Sequence, residues 1–443
     1  MKWTVEQIMA LAPDAASAKA GQGLAAARKW SLLGRAEPAV WGHCQGSGKD
    51  PYRTQIDLNE PAFRCTCPSR KFPCKHGLGL LLLLANQPQL FTAGSPPPEV
   101  SEWIESRAER TERRAHKQAA ADERPEAVAD PAAQAKRAAD REARVKAGLQ
   151  ELNTWLRDLV RAGLATAQTQ PRQFWERPAA RLVDAQAPGL ARMVRELASI
   201  PSSGDGWQER LLERIGKIYL LIEGSQRIGE LPAETQADLR SFIGWTQSQD
   251  ELLKTDGVHD RWSVLGQRVE EEDRLRVQRT WLWGESSRRA AVLIHFAAGN
   301  QPLDASVTAG TVLDGELVFF PGAYPLRALI KDRADSLSPL EGMPGYADLV
   351  EATAAYAAAL ARNPWIEIFP MALKAVVPVR GGEQWLIRDA EGSLLRLSPR
   401  FAHHWSLLAL SGGREIELFG EWDGDYLRPL SLMAEGRFVR FNS

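Results

Sequence analysis

Four cysteines in 443 residues are too few for a disulfide-built fold. Net charge is nearly absent as well: 55 Lys and Arg against 56 Asp and Glu leave a formal charge of -1. No global field directs the chain toward nucleic acid or membrane, so any basic surface has to be local. Long apolar runs are also missing. The leucine run from Leu78 to Leu84, broken by Gly79, is far short of the roughly 20 residues a membrane-spanning helix needs. The N-terminal stretch MKWTVEQIMALAPDAASAK lacks the sustained apolar core of a targeting segment. These absences predict a cytoplasmic protein with no membrane partner. What is present, 44% hydrophobic and 25% charged residues, suits a chain that buries sizeable cores. Its length predicts two to four domains at roughly 100–200 residues each. The 15 tryptophans are scattered and read as core packing.

Periodicity divides the chain into an α+β multidomain protein. Residues 1–91 mix short helix and strand signals: AVWGHCQGSGKDPYRTQIDL reads as strand, Gly/Pro turn and strand, and HGLGLLLLLANQPQLF as a helix stopped near Pro88. This is a small N-terminal α/β module. TAGSPPPEVS then breaks the pattern. Residues 92–148 form a charged Ala/Arg/Glu-rich linker, because the segment from Glu102 to Gly148 holds 11 Lys or Arg and 10 Asp or Glu with almost no large apolar residue. Leu149, Leu152, Trp155, Leu156, Leu159 and Val160 then follow the i, i+3, i+4 rule, and 149–275 reads as an α-helical domain. From 276 to 443 short apolar runs alternate with Gly, Asp and Pro turns. That pattern predicts a β-rich C-terminal domain, a sheet or barrel, interrupted by one Ala-rich helix at YADLVEATAAYAAALARN.

The chemistry concentrates in CTCPSRKFPCKH. Cys65, Cys67, Cys74 and His76 have the spacing C-x-C-x6-C-x-H. Zinc takes four soft or borderline ligands in a tetrahedron. Two cysteines one residue apart reach one ion only if the backbone turns, and Pro68 and Ser69 favour a turn there. Cys74 and His76 cannot share a helical face, so they fit a loop entering a helix, with His76 in its first turn. Four such ligands form a closed, structural site with no position left for substrate. The metal would then hold the leucine-rich helix against the preceding strands, and its removal would release that helix. The competing reading is a chance cluster of buried thiols. Cys44 either replaces one ligand or stays a buried thiol, which is the expectation, and His43 reads as an ordinary polar residue.

This pattern resembles the SWIM zinc finger, CxCx(n)CxH followed by a helix, and all four ligand positions are matched by Cys65, Cys67, Cys74 and His76. The surroundings WGHCQGSGKDPYRTQIDL and PSRKFPCKHGLGLLLL are similar to bacterial proteins carrying this finger near the N-terminus. The resemblance implies a zinc-binding module that contacts DNA or another protein on a scaffold or adaptor. Arg53, Arg64, Arg70, Lys71 and Lys75 surround the ligands. They either offset the negative charge of the zinc–thiolate core or form a phosphate-facing patch. Phe63 and Phe72 either stack on bases or cover the metal core, and covering is the expectation.

Enzyme signals are thin. GSGKD at Gly46–Asp50 fails as a phosphate loop, since His43 and Asp50 stand where Gly and Ser or Thr are needed. His403 and His404 with Asp423 and Asp425 have no fixed ligand spacing, and Arg268–Arg276 reads as a solvated, salt-bridged stretch. No nucleophile elbow, zincin motif or dinucleotide loop occurs. The alternative function is an enzyme whose active site lies unrecognised in the β-rich region, with the finger as an accessory.

Overall fold

The computed structural model describes the chain except residues 1–4, 13–14, 47, 49, 59–61, 70–72, 108–130, 273–274, 299–300, 302, 305, 335–336 and 442–443. The fold is mixed α and β: a small N-terminal sheet module, a central helical domain and β-rich C-terminal sheets.

The N-terminal module is a five-stranded sheet in the order β4-β3-β2-β1-β5. Its strands are β1 (Trp30–Ala36), β2 (Ala39–Cys44), β3 (Tyr52–Asp57), β4 (Ala62–Cys65) and β5 (Thr92–Ala93). GSGKD lies in the β2–β3 connection. Helices α1 (Val5–Ala10), α2 (Ala15–Leu24) and α3 (Lys75–Asn86) gather on one face. All residues from His76 to Leu83 are buried. An all-round apolar helix is stable only when it is enclosed on every side, and α1, α2 and the sheet supply that enclosure. Glycines permit the closeness: a Cβ at Gly79 would stand 2.8 Å from the Leu24 Cβ, and one at Gly77 would stand 2.7 Å from the Phe63 ring.

The module does not end at residue 91. Thr92 and Ala93 pair with β1. A helix over 98–107 (α4) then lies on the other face of the sheet, where Val100 packs with Ala39 and Trp41, and Arg107 binds Asp57 at 3.0 Å. The linker read at 92–148 is therefore narrower at both ends. Helix α5 (Pro131–Arg161) runs through residue 148 without a break, and Val145 already belongs to the bundle core. Alanine explains the continuity, since it favours a helix without marking a buried face.

The central domain comprises α5, α6 (Arg172–Asp184), α7 (Pro188–Leu197), α8 (Trp207–Gln226), α9 (Ala233–Ile243) and the short α10 (Gln249–Leu253). Leu211, Ile215, Ile218 and Ile222 form the buried stripe of α8. On α5, Leu149, Leu152, Leu156 and Leu159 are buried as expected, whereas Val160 is 44% exposed.

β structure begins earlier than 276. β6 (Val258–Glu272) and β7 (Leu275–Gly284) form a long hairpin, with the charged stretch Arg268–Glu272 ending one strand and Leu275 and Arg276 beginning the next. With β8 (Ala290–Ala298), β9 (Thr311–Phe319), β10 (Ala328–Arg333) and β11 (Ser338–Pro339) they make one six-stranded sheet. The other contains β12 (Phe369–Gly381), β13 (Gln384–Arg388), β14 (Leu394–Arg396), β15 (Ile416–Trp422), β16 (Leu427–Ala434) and β17 (Arg437–Arg440). Leu265, Trp281 and Val292 of the first sheet share a core with Ala372, Phe419 and Leu430 of the second. The Ala-rich helix is α11 (Leu349–Arg362), and α12 spans His404–Ser411. Trp365 enters the helical core and donates from Nε1 to the Lys217 carbonyl at 2.9 Å, tying the bundle to the sheets. Among the described residues no helix is long and apolar enough to cross a membrane.

Candidate metal centre

Each ligand arrives on a different piece of backbone. Cys65 ends β4, opposite Thr54 of β3. Pairing continues one residue further: the Thr66 N–H donates to the Arg53 carbonyl, and the Arg53 N–H donates to Thr66 Oγ1, both at 3.0 Å. The chain then bends at Cys67. Cys74 is the N-cap residue of α3, with extended φ and ψ, and His76 lies in its first turn. The turn after Cys65 and the loop-to-helix entry thus follow the geometry that the spacing demands.

These folds bring one ligand atom from each of Cys65, Cys67, Cys74 and His76 within 4.8 Å of one another. Cys65 Sγ lies 3.8 Å from His76 Nδ1. Around one zinc ion, tetrahedral angles with Zn–S near 2.3 Å and Zn–N near 2.05 Å place S and N about 3.5 Å apart. The donor set also calls for a cation. Taken alone, the side chains share charge unequally: the hydrogen bond with Cys65 pulls Cys74 down to about 4. The same hydrogen bond, with burial, pushes Cys65 up, and burial pushes Cys67 up. Three sulfurs this close do not all ionise without a positive ion between them. The four side chains are positioned to bind a zinc ion.

Two supporting residues have no motif of their own. Thr54 is 2% exposed, and its Oγ1 lies 3.3 Å from Cys65 Sγ, where the hydroxyl can donate to a thiolate. Tyr52 packs its ring 4.7 Å from that of His76 and fixes the imidazole plane. Only the strand register, Thr54 opposite Cys65, signals the first of them. Cys44 is fully buried outside the cluster, and burial pushes its thiol up. Phe63 is 6% exposed and packs in the module core, so it is no stacking platform.

The cations separate into three groups. Arg64 and Lys75 are exposed and have no ion-pair partner among the described residues. Arg53 is exposed and meets Glu99 of α4 at 3.6 Å, a surface pair of small energetic worth. Arg70 and Lys71, like Phe72, lie outside the described residues.

Elsewhere the suspected sites dissolve into packing. His403 and His404 open α12 rather than occupying a strand. His403 stacks near Phe441 at 5.9 Å and His404 on Trp385 at 5.2 Å. Asp423 is occupied by the backbone amides of Asp425 and Tyr426. Glu270 bridges Arg268 and Arg279, and Arg268 also reaches Glu421 at 2.6 Å.

Two family descriptions match the chain. The SWIM zinc finger covers residues 52–85, and the SWIM-associated four-helix bundle domain covers residues 140–243. No curated protein and no solved structure matches. The chain therefore carries a SWIM zinc finger on Cys65, Cys67, Cys74 and His76, together with its associated bundle.

Proposed function

We propose that the protein is a zinc-dependent interaction protein of the cytoplasm whose finger holds nucleic acid through its phosphates, with the bundle and sheets as a scaffold. The observation that carries this reading is the surplus of uncommitted positive charge at the finger. A Cys3His site with zinc has a net charge of about -1. Asp57, the acidic residue nearest in β3, is already bound by Arg107. Arg64 and Lys75 remain exposed and unpaired among the described residues, and Arg53 faces only Glu99. Offsetting the core uses about one of these charges, and the rest form a local basic patch on a chain with no net positive charge.

The test is binding of fluorescent single- and double-stranded oligonucleotides to the zinc-loaded protein over a range of salt. Each phosphate contact contributes roughly 0.7–0.9 to the slope of log affinity against log salt. Arg64→Glu with Lys75→Glu should cut affinity at least tenfold and flatten that slope by about 2 at unchanged zinc content. If zinc-loaded protein binds no oligonucleotide, or the double variant binds as wild type does, the reading fails. Retention of a protein partner after nuclease treatment would then redirect it.

A further inference from the structure

The bundle contains a cleft of about 310 Å³ between α5 and α6. That is the lower end of the range for small-ligand sites. Its walls are apolar and aromatic: Leu152 and Trp155 come from α5, Phe174 and Leu182 from α6. The Trp155 and Phe174 rings meet at 5.2 Å and 43°, and Trp175 braces Trp155 edge-on at 5.8 Å. A wall held in this way presents ring surface without having to order itself for a ligand.

Two further residues of the lining bear on what the cleft can hold. Pro178 stands inside α6 and lines the cleft. It has no N–H to give to the carbonyl of Phe174 four residues earlier, so that carbonyl lacks its ordinary partner in the helix. Proline inside a helix costs about 3 kcal/mol relative to alanine, so this opening is not the cheapest way to build α6. The second is Arg177. It lines the cleft, is exposed and has no hydrogen-bond or ion-pair partner among the described residues. Its neighbour Arg181 is committed to Glu151 at 3.0 Å. One guanidinium at the mouth is thus free, and the surface beside it is aromatic.

We propose that this cleft binds a small aromatic acid, its ring against Trp155 and Phe174, an N–H or O–H donating to the Phe174 carbonyl, and its acid group on Arg177. The site is separate from the zinc centre and does not depend on what the finger holds.

The probe is 8-anilinonaphthalene-1-sulfonate, which combines aromatic rings, one N–H and one sulfonate. Titrated into the full zinc-loaded chain, it should saturate at one per chain. Trp155→Ala and Arg177→Glu should each weaken it about tenfold or more, the size expected for a lost charge-assisted contact. Pro178→Ala is the discriminating variant. It returns an N–H to the Phe174 carbonyl and strengthens the helix, so thermal stability should rise while probe affinity falls several-fold. Arg227→Glu, an exposed charge at the end of α8, should change nothing. Arg177→Glu lies on the surface and does not threaten folding, so it decides the matter even if Trp155→Ala is unstable. Absence of saturable binding, or undiminished binding by Arg177→Glu or by Pro178→Ala, overturns the proposal.

Discussion

Removing zinc should open the finger without releasing the helix behind it. The spacing of the ligands by itself suggests a stronger effect, with the metal holding the leucine run in place. The structure shifts the balance. Leu78, Leu80, Leu81, Leu82 and Leu83 are each 0–1% exposed. At about 1.5–3 kcal/mol per fully buried side chain, these five contribute roughly 8–15 kcal/mol of gross burial energy without any metal. That equals the roughly 10–16 kcal/mol by which zinc folds an isolated finger that has no other core. What the metal alone supports is the segment from Cys65 to the first turn of α3. Two amides report on it. The Thr66 N–H bonds the Arg53 carbonyl at 3.0 Å, and the Leu78 N–H bonds the Cys74 carbonyl at 3.1 Å. Both bonds ride on backbone that the ligands hold. The Gln87 N–H, bonded to the Leu83 carbonyl at 2.8 Å, lies beyond it. Hydrogen exchange read by mass spectrometry, with and without a chelator, should show protection lost at Thr66 and Leu78 and kept at Gln87 and across β2–β3. Cys67→Ala should reproduce the pattern at reduced zinc content. Loss of protection across the whole module from Ile8 to Phe91, or none at Thr66 and Leu78, would refute the reasoning.

Two further outcomes follow from buried polar groups. Thr54→Val keeps the side-chain shape but removes the hydroxyl next to Cys65 Sγ. Zinc affinity measured against a competing chelator should fall about tenfold, the lower end for outer-shell ligand partners, and unchanged affinity would remove Thr54 from the site. Asp238 of α9 is 8% exposed, and burial raises it from 3.8 to about 6 even though its carboxylate accepts from the Ala323 N–H at 2.8 Å. A raised carboxyl stabilises the fold fully below about pH 4 and loses that contribution as pH climbs through 6, on the order of 3 kcal/mol in all. The joint melting of bundle and sheets should therefore shift upward between pH 7 and pH 5. Asp238→Asn should flatten that dependence, and an identical slope in both proteins would sink the assignment.

The metal site was legible in the sequence because its ligands are local. Twelve residues hold all four, and the required turn is written beside them as Pro68 and Ser69. Thr54 and Tyr52 were not legible, because they reach the site across a strand pair. Spacing along one chain says nothing of register, and register alone sets Thr54 opposite Cys65. The same limit explains the boundaries. In α4 the apolar residues are Val100, Trp103 and Ile104, one turn of i, i+3, i+4 spacing among charges, too short a stripe to distinguish from a linker. In β6 the strand extends past the core it serves, and its tip, with Glu270 held between Arg268 and Arg279, hides the alternation that marks a strand.

Burial also decides how this finger can meet a nucleic acid. Many small zinc modules place the helix after the metal in the major groove, where its side chains read bases. Here that helix is enclosed: His76 through Leu83 face α1, α2 and the sheet, with none free for a groove. Among the described residues the remaining surface is the first residue of α3 and the outer face of β3 and β4, where Arg53 and Arg64 are exposed. That outer face is partly covered by α4, through Val100 on Trp41 and Arg107 on Asp57. A surface of this kind, made of guanidinium and ammonium groups at the edge of a small sheet, can hold a phosphate backbone but has little with which to distinguish bases. The nucleic-acid role proposed above is therefore one of charge-dependent, sequence-tolerant binding.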